Sequence, residues 1–412
     1  MGKSSFFTGQ PVFNQVLSLI ERSDISELVC QYDADRYCKR FRTYDHLVTL
    51  LYSTLNRCNS LREVVTGLQA SAHRLRHLGL KSTPRRSTLS DANARRPVAF
   101  FADLYHRLYQ KYYGSLPDSR QIKSITDRLY IVDSTVVSVF SSVLQSSGCC
   151  GANGKKKGGM KAHVLLRAQD DVPSLINITE GKKGDATFLP TIQLPQGSII
   201  VFDKGYRNYK QFARWTKRGI TWVTRLHGKN VYKATSEREV TEDDKQTGVE
   251  ADLEINLGNP RTSYINPIQK ARLVKFKDPQ TGKELEFLTN DFSFSPATIA
   301  EIYKRRWQIE LLFKRIKQNF QVHFFLGDNE NALKIQLWCT FIADLLLKII
   351  KDRVATKRKW SMANLAGFVR LHLGTYISLR NFLCNPEKAL LTYQSPDTQT
   401  QLQLFIQSTR GA

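Results

Sequence analysis

The stretch that most constrains this chain runs from Ala297 to Phe320. No Gly or Pro interrupts it, and Ser295-Pro296 ahead of it reads as a helix N-cap followed by Pro at the first helical position. Ile302, Ile309, Leu312, Phe313, Ile316 and Phe320 recur at helical spacing, so a single helix with a core-facing stripe is predicted. Tyr303, Glu310 and Lys317 are each seven residues apart and share a face beside that stripe, with Arg306 between them. Glu310 is one acid among Lys304, Arg305, Arg306, Lys314, Arg315 and Lys317, with Lys334 one helix end away. Such an acid is either an ion-pair partner or a metal ligand, and the rest of the chain must decide.

The charge balance narrows the partners. Lys and Arg number 61 against 37 Asp and Glu, a net charge of +24 spread along most of the chain. A polyanion is the expected partner, because releasing counterions from phosphates rewards many Lys and Arg contacts. The seven cysteines form no zinc-like spacing and suit a reduced, cytoplasmic protein. The N-terminus lacks the apolar core of a signal peptide. The most hydrophobic run, Ile335 to Ile350, contains Asp344 and Lys348 and reads as a buried helix, so no membrane partner is expected.

Residues 1–120 read as helical. Pro11 to Cys30 is one amphipathic segment and Thr43 to Cys58 a second helix. Ser60-Leu-Arg-Glu63 is a capping box, and Thr88-Leu-Ser-Asp91 a looser one. Arg74, Arg76, Lys81, Arg85, Arg86, Arg95 and Arg96 gather around a short helix near Ser71 to His77 and the break at Gly79, a layout like a helix-turn-helix DNA reader. Residues 121–226 alternate strands and helices. The apolar run Leu129 to Val132 delivers Asp133, and the largely apolar run Gly197 to Phe202 delivers Asp203. The Gly-rich loop Ser146 to Lys161 lacks the order of a phosphate-binding loop. Residues 227–291 form a β-rich insertion, residues 292–385 carry the Glu310 helix and helices that cover the sheet, and residues 386–412 form a Gln/Thr-rich tail.

Three acids delivered from rigid elements, Asp133, Asp203 and Glu310, match the demands of two-metal phosphoryl transfer, in which hard divalent cations take carboxylate oxygens. Taken singly, each acid has an ordinary structural explanation. Asp127, Asp185 and Asp291 remain rivals on spacing alone, Asp185 foremost.

The pattern Tyr303-x2-Arg306-x3-Glu310-x6-Lys317 resembles the helix signature of DDE transposases of the IS-four insertion-sequence family. IVDSTVV and VFDKGYRNY resemble that family's first-acid and second-acid segments, and FRTYDHLVTLLY, NSLREVVTGL and RSTLSDANARR resemble the helical N-terminal domain of one branch. The resemblance covers roughly residues 10 to 385. It implies a ribonuclease-H-like mixed α/β sheet with flanking helices and an all-α N-terminal DNA-binding domain. It implies Asp133, Asp203 and Glu310 binding two Mg2+ (or Mn2+) ions, and Tyr303, Arg306 and Lys317 holding DNA phosphates. The implied partners are double-stranded DNA, as terminal inverted repeats and target, and further copies of the chain in a synaptic complex, at the nucleoid. Lys204 stands where many relatives have Arg. The insertion lacks the tryptophan with which some relatives hold a flipped base, which leaves Trp222 and Tyr232 as substitutes. The alternatives are a catalytically inactive end-binding protein and a structure-directed nuclease on the same fold.

Overall fold

The computed structural model describes residues 10–114, 124–138, 149–150, 156–157, 159–228, 230–258, 266–268, 270–322, 324–355 and 358–387. Six helices come first: α1 (Val12–Leu17), α2 (Arg22–Gln31), α3 (Thr43–Asn56), α4 (Leu61–Ala70), α5 (Arg86–Arg95) and α6 (Val98–Tyr113). The segment expected as one helix from Pro11 to Cys30 is two. After α1 the amides of Leu19 and Ile20 bond to carbonyls three residues back, which tightens the turn and ends the helix.

Ser60 caps α4 as expected: the Glu63 amide donates to Ser60 Oγ at 3.2 Å, and the Glu63 carboxylate accepts from the Asn59 amide at 2.7 Å. The Thr88–Asp91 pattern is not a cap. The helix already starts at Arg86, and Asp91 instead pairs with Arg95 one turn on, at 2.8 Å. Pro97 is the N-cap of α6. The short helix near residues 71–77 is a 3-10 turn, Ala72–Leu78, closed by Gly79 at φ 83°, a left-handed conformation that favours glycine. Arg96 does not belong to a free arginine patch. It is 5% exposed and donates to the carbonyls of Ala34 and Phe41.

Nine strands form one sheet: β1 (Leu129–Ser138), β2 (Gly159–Arg167), β3 (Val172–Glu180), β4 (Ile199–Phe202), β5 (Thr221–Arg225), β6 (Tyr232–Arg238), β7 (Val249–Leu257), β8 (Lys270–Lys277) and β9 (Glu284–Thr289). Their spatial order is β3-β2-β1-β4-β5-β9-β8-β7-β6. β1 is antiparallel to β2 and parallel to β4, and β4 is parallel to β5. The first five strands thus have the 3-2-1-4-5 order of a ribonuclease-H-like sheet, with α7 (Tyr209–Lys217) as the crossover from β4 to β5. The β-rich insertion is not a separate layer. β9 pairs antiparallel with β5, Phe287 opposite Arg225 and Thr289 opposite Val223, so the insertion, with α8 (Glu242–Thr247), lengthens the same sheet.

Alternation along β1 sets the layers. Leu129 and Ile131 join one buried cluster, Tyr130 and Val132 the other. The first cluster holds α9 (Pro296–Lys304), α10 (Trp307–Asn319), α11 (Glu330–Ile349), α12 (Met362–Leu371), α13 (Leu379–Cys384) and the N-terminal helices in one continuous core. α11 is buried on nearly every side and packs on α3, α5 and α6. The second cluster packs α7 on the opposite face. Trp222 lies in it, fully buried, its ring stacked on Phe212 and its indole N–H donating to Thr216 Oγ1 at 2.9 Å. It is a core residue and cannot hold a base. No helix among the described residues is long and apolar enough to cross a membrane.

Candidate active site

β1 and β4 run side by side in the same direction, and their pairing ends at Val132 opposite Phe202. The next residues are Asp133 and Asp203. The apolar runs that make these strands therefore carry both acids to the carboxyl edge of the sheet where strand order reverses, the usual place for a site in an open α/β sheet.

The third acid arrives differently from the expectation. The helix predicted over Ala297 to Phe320 is broken into α9 and α10. The amides of Arg306, Gln308 and Ile309 bond to the carbonyls of Tyr303, Arg305 and Arg306, three residues back, and the chain tightens at Arg305-Arg306. Neither Gly nor Pro accounts for this. Tyr303 and Glu310 consequently belong to different helices. Tyr303 turns inward, its ring 4.8 Å from that of Phe287, and its hydroxyl donates to Asp203 Oδ1 at 3.2 Å. Arg306 donates through Nη1 to Asp133 Oδ2 at 2.9 Å and through Nη2 to Glu310 Oε1. One guanidinium thus bridges acids 177 positions apart in sequence (310 − 133).

The electrostatics follow from this crowding. Burial pushes the Asp133 carboxyl up to about 6; the Ser134 amide at 2.8 Å and Arg306 pull it down, while Asp203 and Glu310 push it further up. Burial alone would raise Asp203 too. Arg225, donating through Nη2 at 2.6 Å and Nε at 3.2 Å, outweighs it and holds that carboxyl below its ordinary value. Burial pushes the Tyr303 hydroxyl up to about 12. Asp133, Glu310, Lys314, Lys317 and Gln318 line an open cleft of about 540 Å3, so Lys317 stands at the site, exposed at its rim.

Among the described residues no three His, Cys, Asp or Glu side chains stand close enough together to hold a metal ion as they are. The three acids are gathered instead around the chain's own cations, Arg306 and Arg225. Their chemistry fits a hard divalent cation: carboxylate oxygens, mutually repelling, at an open cleft.

Residues 125–346 match the family model described as Transposase DDE domain, and residues 8–81 match a domain of unknown function, DUF4372. The chain belongs to the DDE transposase family. It is thereby a DNA transposase, an enzyme of metal-dependent DNA cleavage and strand transfer. It is 36% identical over 270 residues to the provisionally named transposase y4zB of Sinorhizobium fredii, spanning 65% of this chain and 72% of that one. It is 28% identical over 248 residues to a probable transposase for insertion sequence element IS5377 of Geobacillus stearothermophilus, spanning 59% of this chain and 61% of that one. Among solved structures it is similar to a piggyBac transposase synaptic complex with hairpin DNA, at TM-score 0.45 and 12% identity, over 96% of this chain and 84% of that one.

The geometry of this candidate site also sorts the rival acids. Asp185 stands beside it but is occupied: Ser134 Oγ donates to it at 2.9 Å and Lys161 Nζ at 3.1 Å. Asp127 caps a turn by accepting from the Ser124 amide, and Asp291 caps another through the amides of Ser293 and Phe294. Arg305, one of the basic residues around Glu310 in sequence, donates to Thr126 and Glu301. Arg315, another, is tied to Asp171 and Asp344 inside the fold. Sequence reasoning missed Arg225. The signal was there: it ends β5, the strand beside the one that ends at Asp203, so a cation faces an acid across parallel strand ends.

Proposed function

We propose that Asp133, Asp203 and Glu310 are the catalytic acids of this transposase and hold two Mg2+ (or Mn2+) ions. Bound divalent cations would activate the attacking water or 3′-hydroxyl and stabilise the leaving oxygen. The single observation that supports the assignment is the bridge from Arg306 to both Asp133 and Glu310, beside Asp203 on the neighbouring strand end. Tyr303, Arg306 and Lys317 offer a hydroxyl, a planar guanidinium and an ammonium to the phosphates flanking the scissile bond, where they offset charge gathering on the phosphoryl oxygens. Lys317 carries its charge at the cleft rim, where a DNA backbone would enter.

Residues 1–120 form a helical domain that binds DNA, residues 121–226 and 292–385 the catalytic domain, residues 227–291 the insertion and residues 386–412 the tail. The substrate is double-stranded DNA, as the ends of the element and as target, bound by more than one copy of the chain in a synaptic complex. The enzyme works in the cytoplasm, at the nucleoid. The test is a strand-transfer assay with DNA flanking the gene. Glu310→Gln should abolish cleavage and joining while leaving DNA binding at the wild-type level. Continued cleavage by that variant removes Glu310 from the catalytic set, and cleavage by the wild type without joining to a second DNA molecule makes the protein a nuclease.

A further inference from the structure

The lining of the candidate cleft reaches Gln318, near the end of α10. Past the end of α10 the chain turns towards the N-terminal helices, where Gln321 Nε2 donates to Asn59 Oδ1 at 2.6 Å and Arg57 donates to Gln321 Oε1 at 3.4 Å. Beyond this junction lies a second cleft, of about 470 Å3, walled by the start of α4, by α5 and by the loop Phe324 to Asp328. None of the proposed catalytic or phosphate-holding residues of the transposase site lines it.

We propose that this interdomain cleft binds the backbone of double-stranded DNA running on from the catalytic groove. The inference rests on the transposase reading and deepens it by naming where the duplex goes. Three observations carry it. First, Arg62 and Arg86 line the cleft, both exposed, and among the described residues neither has an acidic partner. Asp328 is the acid of the lining, and Asn59, Ser60 and Ser90 add neutral hydrogen-bonding groups. Exposed guanidinium groups lining an open cleft suit phosphates.

Second, Phe324 is 42% exposed in this basic setting. An apolar ring between cations gives a sugar or base edge something to pack on, as in proteins that press Phe against a duplex.

Third, the loop is held rigid from behind. Gln336 donates to the Phe324 carbonyl at 2.8 Å and accepts from the Leu326 amide at 2.8 Å, and Asn93 of α5 donates to the Leu326 carbonyl at 3.2 Å. A Cβ at Gly327 would come within 2.5 Å of the Ala332 Cβ, so glycine permits the loop's approach to α11. Both walls are thus fixed before any ligand arrives, which lowers the ordering cost of binding.

The experiment measures binding of a fluorescently labelled mixed-sequence duplex to the full chain across a salt series. Arg62→Ala combined with Arg86→Ala should weaken binding about tenfold and reduce the salt slope by about two. A charge-matched control, Lys245→Ala with Arg358→Ala, should keep the wild-type affinity; both control residues are exposed, lie outside the N-terminal helices and are paired with acids. Phe324→Ala should weaken binding several-fold, and Phe324→Tyr should restore it. All substituted residues are exposed, and melting temperatures should match the wild type. Wild-type affinity and slope in the cleft double variant, or an equal loss in the control, overturns the proposal. The outcomes are separable: a chain that joins DNA normally while the cleft variants bind unchanged loses only this inference, and a chain that binds through the cleft but never cleaves loses only the catalytic reading.

Discussion

Two arginines nine positions apart, Arg306 and Arg315, each bridge two acids from distant elements, yet they do opposite things. Exposure of the guanidinium does not separate them: 15% for Arg306 and 13% for Arg315. Saturation does. Arg315 donates through Nε and Nη2 to Asp344, through Nη1 to Asp171 and through Nη2 also to the Asp171 carbonyl, joining α10 to α11 and to the β2–β3 turn. Asp344 is 4% exposed. Among the described residues Arg306 leaves its buried Nε without a partner, and its acids face an open cleft, Glu310 being one-third exposed. A closed, fully bonded cluster fixes the helix. A cluster with a spare donor and an open side can exchange partners, as a site that accepts phosphate and metal must.

The comparison can be broken in four places. Arg315→Met should cost about 3–5 kcal/mol in chemical unfolding, because Asp344 is left buried and uncompensated. Arg306→Gln should instead lower strand transfer at least about a hundredfold, as loss of a transition-state cation does, with a much smaller change in unfolding free energy. Equal destabilisation by the two would erase the distinction drawn here.

Asp133→Asn tests the strain at the open cluster. The folded carboxyl titrates near 6 and the unfolded one near 3.8, so the folded state holds its proton more tightly. Wild-type stability should therefore be favoured in acid and fall as pH rises from about 4 through about 6. Above that window the Asn variant should be more stable than wild type by about 3 kcal/mol, while being inactive. A flat difference between the two proteins from pH 4 to pH 8 would contradict the burial argument. Smallest is Arg305→Ala, which loses a partly exposed pair with Glu301 and should shift stability by about 0.5 kcal/mol or less. A larger loss would mean that the Arg305–Thr126 bond clamps the break between α9 and α10.

Much of this architecture was legible beforehand. β9, Glu284 to Thr289, falls in the stretch read as β-rich, where a partly apolar run is bounded by polar turn residues. Asp133 and Asp203 were legible because each follows directly on an apolar run, Asp133 within β1 and Asp203 just past the end of β4. The break at Arg305-Arg306 was not, since neither residue carries a local helix-breaking signal and the stripe continues across it. Nor were the burial of Arg96 and Trp222, whose partners lie in other elements.

What the sequence by itself determined is local and periodic: the alternation that makes the strands, the stripes that make the helices, the acids that follow apolar runs and the Tyr-Arg-Glu-Lys spacing. Tertiary structure alone decided that β1 and β4 stand side by side, that the insertion lengthens the sheet, that Arg225 meets Asp203, and which arginine is sealed and which is open. The physical reason is range. A hydrogen bond between Arg306 and Asp133 depends on how elements far apart in the chain pack, and no window of neighbouring residues carries that information.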